Sequence, residues 1–282
     1  MLLPAEVLFL WGAVALYAAS TMFYVVSLVF QQPQRLGVAS RLAAAGLVSQ
    51  SLSLLLRWIE AGHGPYLTFY ESLNSHSWAA VLFFLVFQRW NPRYRFLGVG
   101  VMPVAFLLIG LGALSGRDIV PVPANFAIFW LVVHVLFAMS ALSSSLVATA
   151  FSFLYLARLR LEKGGASAES DLLARLPSLQ VLEDLSYRFV ALGFILQTIM
   201  MAAGAIWAER AWGRYWGWDP VETWTLISWL VYGIYLHLRI TYRWRGTRAV
   251  WFTTLGLGVL LFSFFGVVLF YRGLHSSVWL IR

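Results

Sequence analysis

The stretch from Trp207 to Trp229 reads WAERAWGRYWGWDPVETWTLISW and holds six of the chain's 14 tryptophans. Gly213 and Gly217 permit tight bends there, so that Trp212, Trp216 and Trp218 can turn broad ring faces toward one place. Arg210 and Arg214 are interleaved with the rings. Aromatic walls with guanidinium groups suit a large, flat, anionic ligand, and haem, with its propionates, has that description. An interfacial aromatic belt is the plainer reading of the tryptophan count alone. The chain has no cysteine and five histidines, so thiolate ligation is excluded and any iron relies on imidazoles. His134 and His275 fall on the side of the tryptophan loop. Alone, the first reads as an interhelical hydrogen bonder and the second as a surface residue. Together, flanking aromatic walls, they form the pair that a bis-histidine haem needs. His237 lies eighteen residues beyond Asp219, about 27 Å along a helix and near the opposite boundary. It is either interfacial or part of a second site, and no other histidine of the chain could face it there, so a bis-histidine site would need a ligand from a partner chain. His63 and His76 are read as structural residues of the loop near Gly62 to Leu73 and are not expected to be axial ligands.

These residues need a scaffold, and the composition says which kind. Of 282 residues, 61% are hydrophobic and 11% charged, against roughly 25% charged in a soluble domain. The mean hydropathy is +0.77. A soluble enzyme is excluded, and the chain reads as an integral membrane protein in contact with the lipid bilayer. Eight segments are long and apolar enough to span it: 7–30, 38–58, 77–90, 96–114, 126–157, 187–208, 220–241 and 249–273. The first has no basic stretch before it and no small-residue cleavage site after it, and is expected to remain as an anchor. Twenty basic and twelve acidic residues give +8. The excess is concentrated in alternate loops, with Arg89, Arg93, Arg95, Arg243, Arg245 and Arg248 on one side, which points to the positive-inside rule rather than to nucleic acid. Both termini and the tryptophan loop are then outside. Asp219, Pro220 and Glu222 have the spacing of a capping box that starts the seventh helix. The expected fold is therefore an all-α integral membrane protein of about eight transmembrane helices, a single polytopic domain over 1–282. It has a cytoplasmic linker and amphipathic surface helix over 161–187, and a tryptophan-rich outer haem-binding segment over 207–224, between helices 6 and 7.

The run Trp212 to Pro220, Glu222 and Tyr235-Leu236-His237 resembles the tryptophan-rich (WWD) signature of the CcsA (ResC) family of cytochrome c biogenesis proteins. Further matching pieces are Phe69-Tyr70-Glu71-Ser72-Leu73 followed by Trp78, Trp130 to His134, and Gly273-Leu274-His275-Ser276. The resemblance covers residues 60 to 282, and the first 58 match only in hydropathy. It implies that His134 and His275 hold haem b at the outer face, and that Trp212, Arg214, Trp216, Trp218, Asp219 and Trp224 contact it. His237 would belong to a second, inner haem site. It further implies a CcsB (ResB)-like partner subunit supplying the opposing inner histidine, and an apocytochrome c with Cys-x-x-Cys-His as substrate. The implied reaction is thioether attachment of haem, a cytochrome c synthase activity of the System II type exercised only with the partner. The implied location is a bacterial inner (plasma) membrane in preference to a thylakoid, with the active site on the periplasmic face. One departure is Leu67-Thr68-Phe69, where the family usually has an Asn before Tyr-Glu-Ser. A CcmC-like protein that passes haem to a chaperone is the alternative; eight spans and His237 argue against it. A transporter or quinone-linked cytochrome would place carboxylates inside the helices, and their central thirds hold almost none.

Overall fold

The computed structural model of the protein describes residues 3–121, 129–164 and 176–275. Among them are eight long helices and no strand. They are α1 (Leu3–Val29), α2 (Leu36–Ala61), α3 (Phe69–Trp90), α4 (Gly98–Leu114), α5 (Phe129–Lys163), α6 (Leu179–Trp212) and α7 (Pro220–Thr241). The last, α8, runs over Thr247–Leu261, passes through a π-helical turn at Phe262–Gly266 and ends as Val267–Phe270. The all-α fold with about eight helices is as the sequence reads. Six spans among the described residues are long and apolar enough to cross a membrane. The other two, α3 and α7, miss that threshold because they carry many polar residues.

Burial runs opposite to that of a water-soluble bundle. On α2, Gln50, Ser53 and Arg57 are buried while Val48, Leu55 and Ile59 are more than half exposed. Their spacing puts the polar residues on one helical face and the apolar ones on another, so α2 turns its polar face to its neighbours and its apolar face to lipid. This is the pattern of a multi-pass membrane protein. The polar face is satisfied inside: the Tyr17 hydroxyl donates to Gln50 Oε1 at 2.8 Å, and Gln50 Nε2 donates to the Asn74 carbonyl at 3.0 Å. Two large apolar clusters form most of the core among the described residues, one centred on α1 to α5 and one on α3 and α5 to α8. Both draw on α3 and α5, which tie the halves together.

The third helix differs from its expected span, 77–90, because it begins at Phe69. Tyr70, Glu71, Ser72, Asn74, Ser75, His76 and Ser77 all lie in its first turns and are all buried. A hydropathy reading finds lipid-facing helices and misses a stretch that packs wholly against protein. The helix start is fixed by a capping box, in which the Glu71 amide donates to Thr68 Oγ1 and the Thr68 amide to Glu71 Oε2. Glu71 also receives Arg57 Nε at 2.8 Å, and the same guanidinium donates to the carbonyls of Arg117 and Asp118. Thr68 therefore has a definite place, as cap, in the loop whose sequence departs from the family pattern. The helices bounding the expected 161–187 linker reach Lys163 and begin at Leu179. Residues 165–175, which hold much of that expected linker and surface helix, lie outside the described residues.

Candidate functional site

The end of the bundle that carries the tryptophan loop encloses a cavity of about 130 Å³. It is built from the starts of α5 and α7, the end of α6, the loop before α3 and the segment after α8. His134, Trp207, Trp212, Trp216 and His275 line it, and the exposed Tyr215 is at its rim.

His134 is placed by α5 and held by α6. Its Nδ1 lies 2.9 Å from the Met200 carbonyl oxygen. A carbonyl only accepts, so Nδ1 carries the hydrogen and Nε2 keeps its lone pair. Gly204 makes this possible, since a Cβ there would lie 2.5 Å from His134 Nδ1. The imidazole stacks on Trp207 with centroids 6.2 Å apart and planes at 22°.

His275 is held in the same way by a different acceptor. Its Nδ1 donates to Asp219 Oδ1 at 2.9 Å, which again leaves the lone pair on Nε2. Its ring meets Trp212 and Trp207 edge-on at 5.0 and 6.0 Å, and those two indoles are 4.7 Å apart. Asp219 also accepts from the amides of Val221 and Leu274. It thus caps α7 while anchoring the chain beyond α8, and Gly273 has no Cβ to crowd its carboxylate. Burial pushes the Asp219 carboxyl up, but the hydrogen bonds it accepts from His275 and from the two amides outweigh burial and hold it below the usual carboxylate range. The capping box at α7 is complete, with Glu222 Oε2 accepting from the amides of Asp219 and Gly217. An imidazole whose second nitrogen is fixed by a carbonyl or carboxylate is the usual state of a metal-ligating histidine. The donor set therefore fits an iron that two imidazoles would hold.

The other sequence-derived residues fall outside this cavity. Trp218 is 69% exposed and touches Trp216 edge-on at 5.7 Å. Its φ of 56° puts a bulky residue in the left-handed region, a strained conformation. Arg214 is exposed, with its guanidinium against Gly217, and Trp224 turns to Phe262 with centroids at 4.6 Å. His237 is near the opposite end of α7, exposed, beside Thr241 and Tyr242. His63 has both ring nitrogens against carbonyl oxygens, those of Gly64 and Val120, so neither faces a ligand. Among the lining residues that sequence reading missed are Tyr66, Trp207, Glu222 and His76. For His76 the available signal was Thr68-x-x-Glu71, a capping box that would have placed it on a helix.

Among known proteins, residues 66–275 match the family described as cytochrome C assembly protein. The cytochrome c biogenesis protein CcsA of Guillardia theta is 32% identical over 281 residues, covering 93% of this chain and 92% of that one. The protein of the same name from Parasynechococcus marenigrum is 34% identical over 273 residues, covering 87% and 88%. A solved structure, the cytochrome c heme lyase CcmF, superposes with a TM-score of 0.71 at 17% identity. It shares the fold over 98% of this chain, which spans about half, 48%, of that protein.

Proposed function

The chain belongs to the cytochrome c assembly family, among the CcsA proteins, and from that premise we propose that it holds haem b for covalent attachment to an apocytochrome c. The observation that carries this reading is the pair His134 and His275, which line one aromatic cavity, each with Nδ1 tied to an acceptor.

When bound, haem supplies two vinyl groups, and each thiol of a Cys-x-x-Cys-His segment adds across one of them. The sulfur bonds to one vinyl carbon and the hydrogen goes to the other, so the addition needs no oxidant or reductant. The chain contributes position rather than new chemistry. His134 on α5 and His275 beyond α8 would hold the iron, their rings fixed by the Met200 carbonyl and the Asp219 carboxylate, and Trp207 and Trp212 supply the walls. A cavity of about 130 Å³ is smaller than the roughly 300–1,000 Å³ that encloses a drug-sized ligand. A macrocycle seated there keeps part of its rim outside, where thiols can reach it.

The exposed position of His237 supports a second, inner site shared with a CcsB-like membrane subunit, since its ring is open on the side of the helix away from the bundle. The basic turns at that end, with Arg93 and Arg95 between α3 and α4 and Arg243 and Arg245 between α7 and α8, support a cytoplasmic location for it by the positive-inside rule. The cavity then faces the periplasm of a bacterial inner membrane.

The test is the absorption spectrum of the purified protein with its partner. Replacing His134 or His275 by Gly should lose or alter the haem bands, and added imidazole should restore them. Unaltered spectra and undiminished cytochrome maturation in both variants would end this reading.

A further inference from the structure

A third imidazole lines the same cavity. His76, on α3, is 5% exposed, and its ring sits edge-on to Phe264 and Phe265 at 5.7 and 5.2 Å. Its Nδ1 lies 2.8 Å from the Ser72 carbonyl oxygen one turn earlier on α3. As for His134 and His275, that acceptor fixes the hydrogen on Nδ1 and leaves the lone pair on Nε2. Here Nε2 is fully buried and has no hydrogen-bond partner. The rings packed on it, Phe264 and Phe265, are apolar, the Ser72 hydroxyl lies on the Nδ1 side at 3.4 Å, and a leucine would suit the Nε2 side without an unmet nitrogen.

Its depth differs from that of the outer pair. Phe265, against which His76 packs, precedes His275 by ten residues and lies below the last turn of α8. His76 is therefore inward of His275 in the cavity that Ser72, Thr225 and Phe264 also line. The π-helical turn Phe262–Gly266 carries both of its ring contacts, and π-turns within helices are frequent at functional sites. His76, His134 and His275 all line this one cavity.

We propose that the cavity has two iron positions sharing one ligand: an inner one held by His76 and His134, and the outer one held by His134 and His275. This rests on the reading that the cavity takes haem. Haem moving outward exchanges one imidazole at a time. The bond from iron to His76 Nε2 breaks and that to His275 Nε2 forms, while His134 stays bound. Every Nδ1 hydrogen stays in place, so neither protons nor electrons are transferred.

The experiment uses the full-length chain purified in detergent with its haem, read by absorption and electron paramagnetic resonance. His275→Gly should keep a six-coordinate, low-spin iron whose bands are shifted from those of the wild type, because haem then rests at the inner position. Adding His76→Leu to His275→Gly should convert it to high-spin or lower haem content at least tenfold. Adding His76→Met instead, a side chain that suits the apolar surroundings, should give a histidine–methionine spectrum and show that the double variants still fold. A high-spin or haem-free His275→Gly protein overturns the proposal. So does a low-spin spectrum that survives His76→Leu, or the absence of a methionine signature. Failure of the underlying reading looks different: His134→Gly and His275→Gly would then both match the wild-type spectrum.

Discussion

Asp219 and His275 are separated by 56 positions in the chain and joined by a 2.9 Å hydrogen bond. One carboxylate caps the helix that follows the tryptophan loop and sets the tautomer of an imidazole beyond the last helix. Asn is also a good N-cap, so Asp219→Asn keeps the cap and removes the charge. Haem affinity, titrated into the haem-free protein, should fall about 10- to 100-fold, the usual cost of losing such a partner. Equal affinity in the Asn variant would reduce Asp219 to a helix cap.

Gly204→Ala places a methyl group where a Cβ would lie 2.5 Å from His134 Nδ1. Alanine is a better helix former than glycine, so far-ultraviolet circular dichroism should be unchanged. The bond from His134 to the Met200 carbonyl should break, and the haem bands should shift or weaken. A wild-type spectrum in this variant would mean that the imidazole position is not fixed by α6.

Trp216 lines the cavity, whereas Trp218 lies outside it. With the protein fully haem-loaded, Trp216→Cys should form a covalent adduct with a vinyl group, detectable as haem that survives denaturing electrophoresis. Trp218→Cys should form less. Equal reaction at both positions, or none at either, would return the loop to the role of a membrane belt.

How legible this site is in the sequence depends on where its polarity faces. The start of α7 is readable because Asp219, Pro220 and Glu222 act through local hydrogen bonds. His134 and His275 attract notice through the tryptophans around them, yet their anchors, the Met200 carbonyl and the Asp219 carboxylate, come from other elements and leave no pattern in spacing. The first turns of α3 are hidden for another reason: Tyr70 to Ser77 look like a polar loop to any hydropathy scale, and only burial against protein makes them a helix interior. Misplacing that boundary is what set His76 aside.

Arg57 and Glu71 form a buried ion pair, with side chains 1% and 0% exposed. Arg57→Met should destabilise the protein by about 3–5 kcal/mol, the cost of stranding a buried carboxylate. Adding Glu71→Gln, which removes the stranded charge, should recover part of the loss. Denaturant titration in detergent measures both, and additive losses would show that the two side chains act separately.

His237→Ala should leave haem binding by the isolated chain unchanged, since the ring is exposed and remote from the cavity. In the complex with a partner subunit the same variant should lower the haem reaching His134 and His275. Equal loading of wild-type and variant complexes would leave His237 an ordinary interfacial residue.

The two helices too polar to qualify as spans, α3 and α7, bear on how the chain is made. Each is followed, across a short turn, by one of the most apolar segments: Pro92–Leu114, with a hydropathy of 2.3, after α3, and Thr247–Phe270, at 2.2, after α7. A ribosome delivering helices singly to the translocon would offer the bilayer α3 with Glu71, Asn74 and His76 unshielded, each of them unfavourable to insertion. Delivered as hairpins, α3 with α4 and α7 with α8, each polar helix enters beside a partner apolar enough to carry it. The residues that equip the cavity are thus the ones least able to reach the membrane unaided.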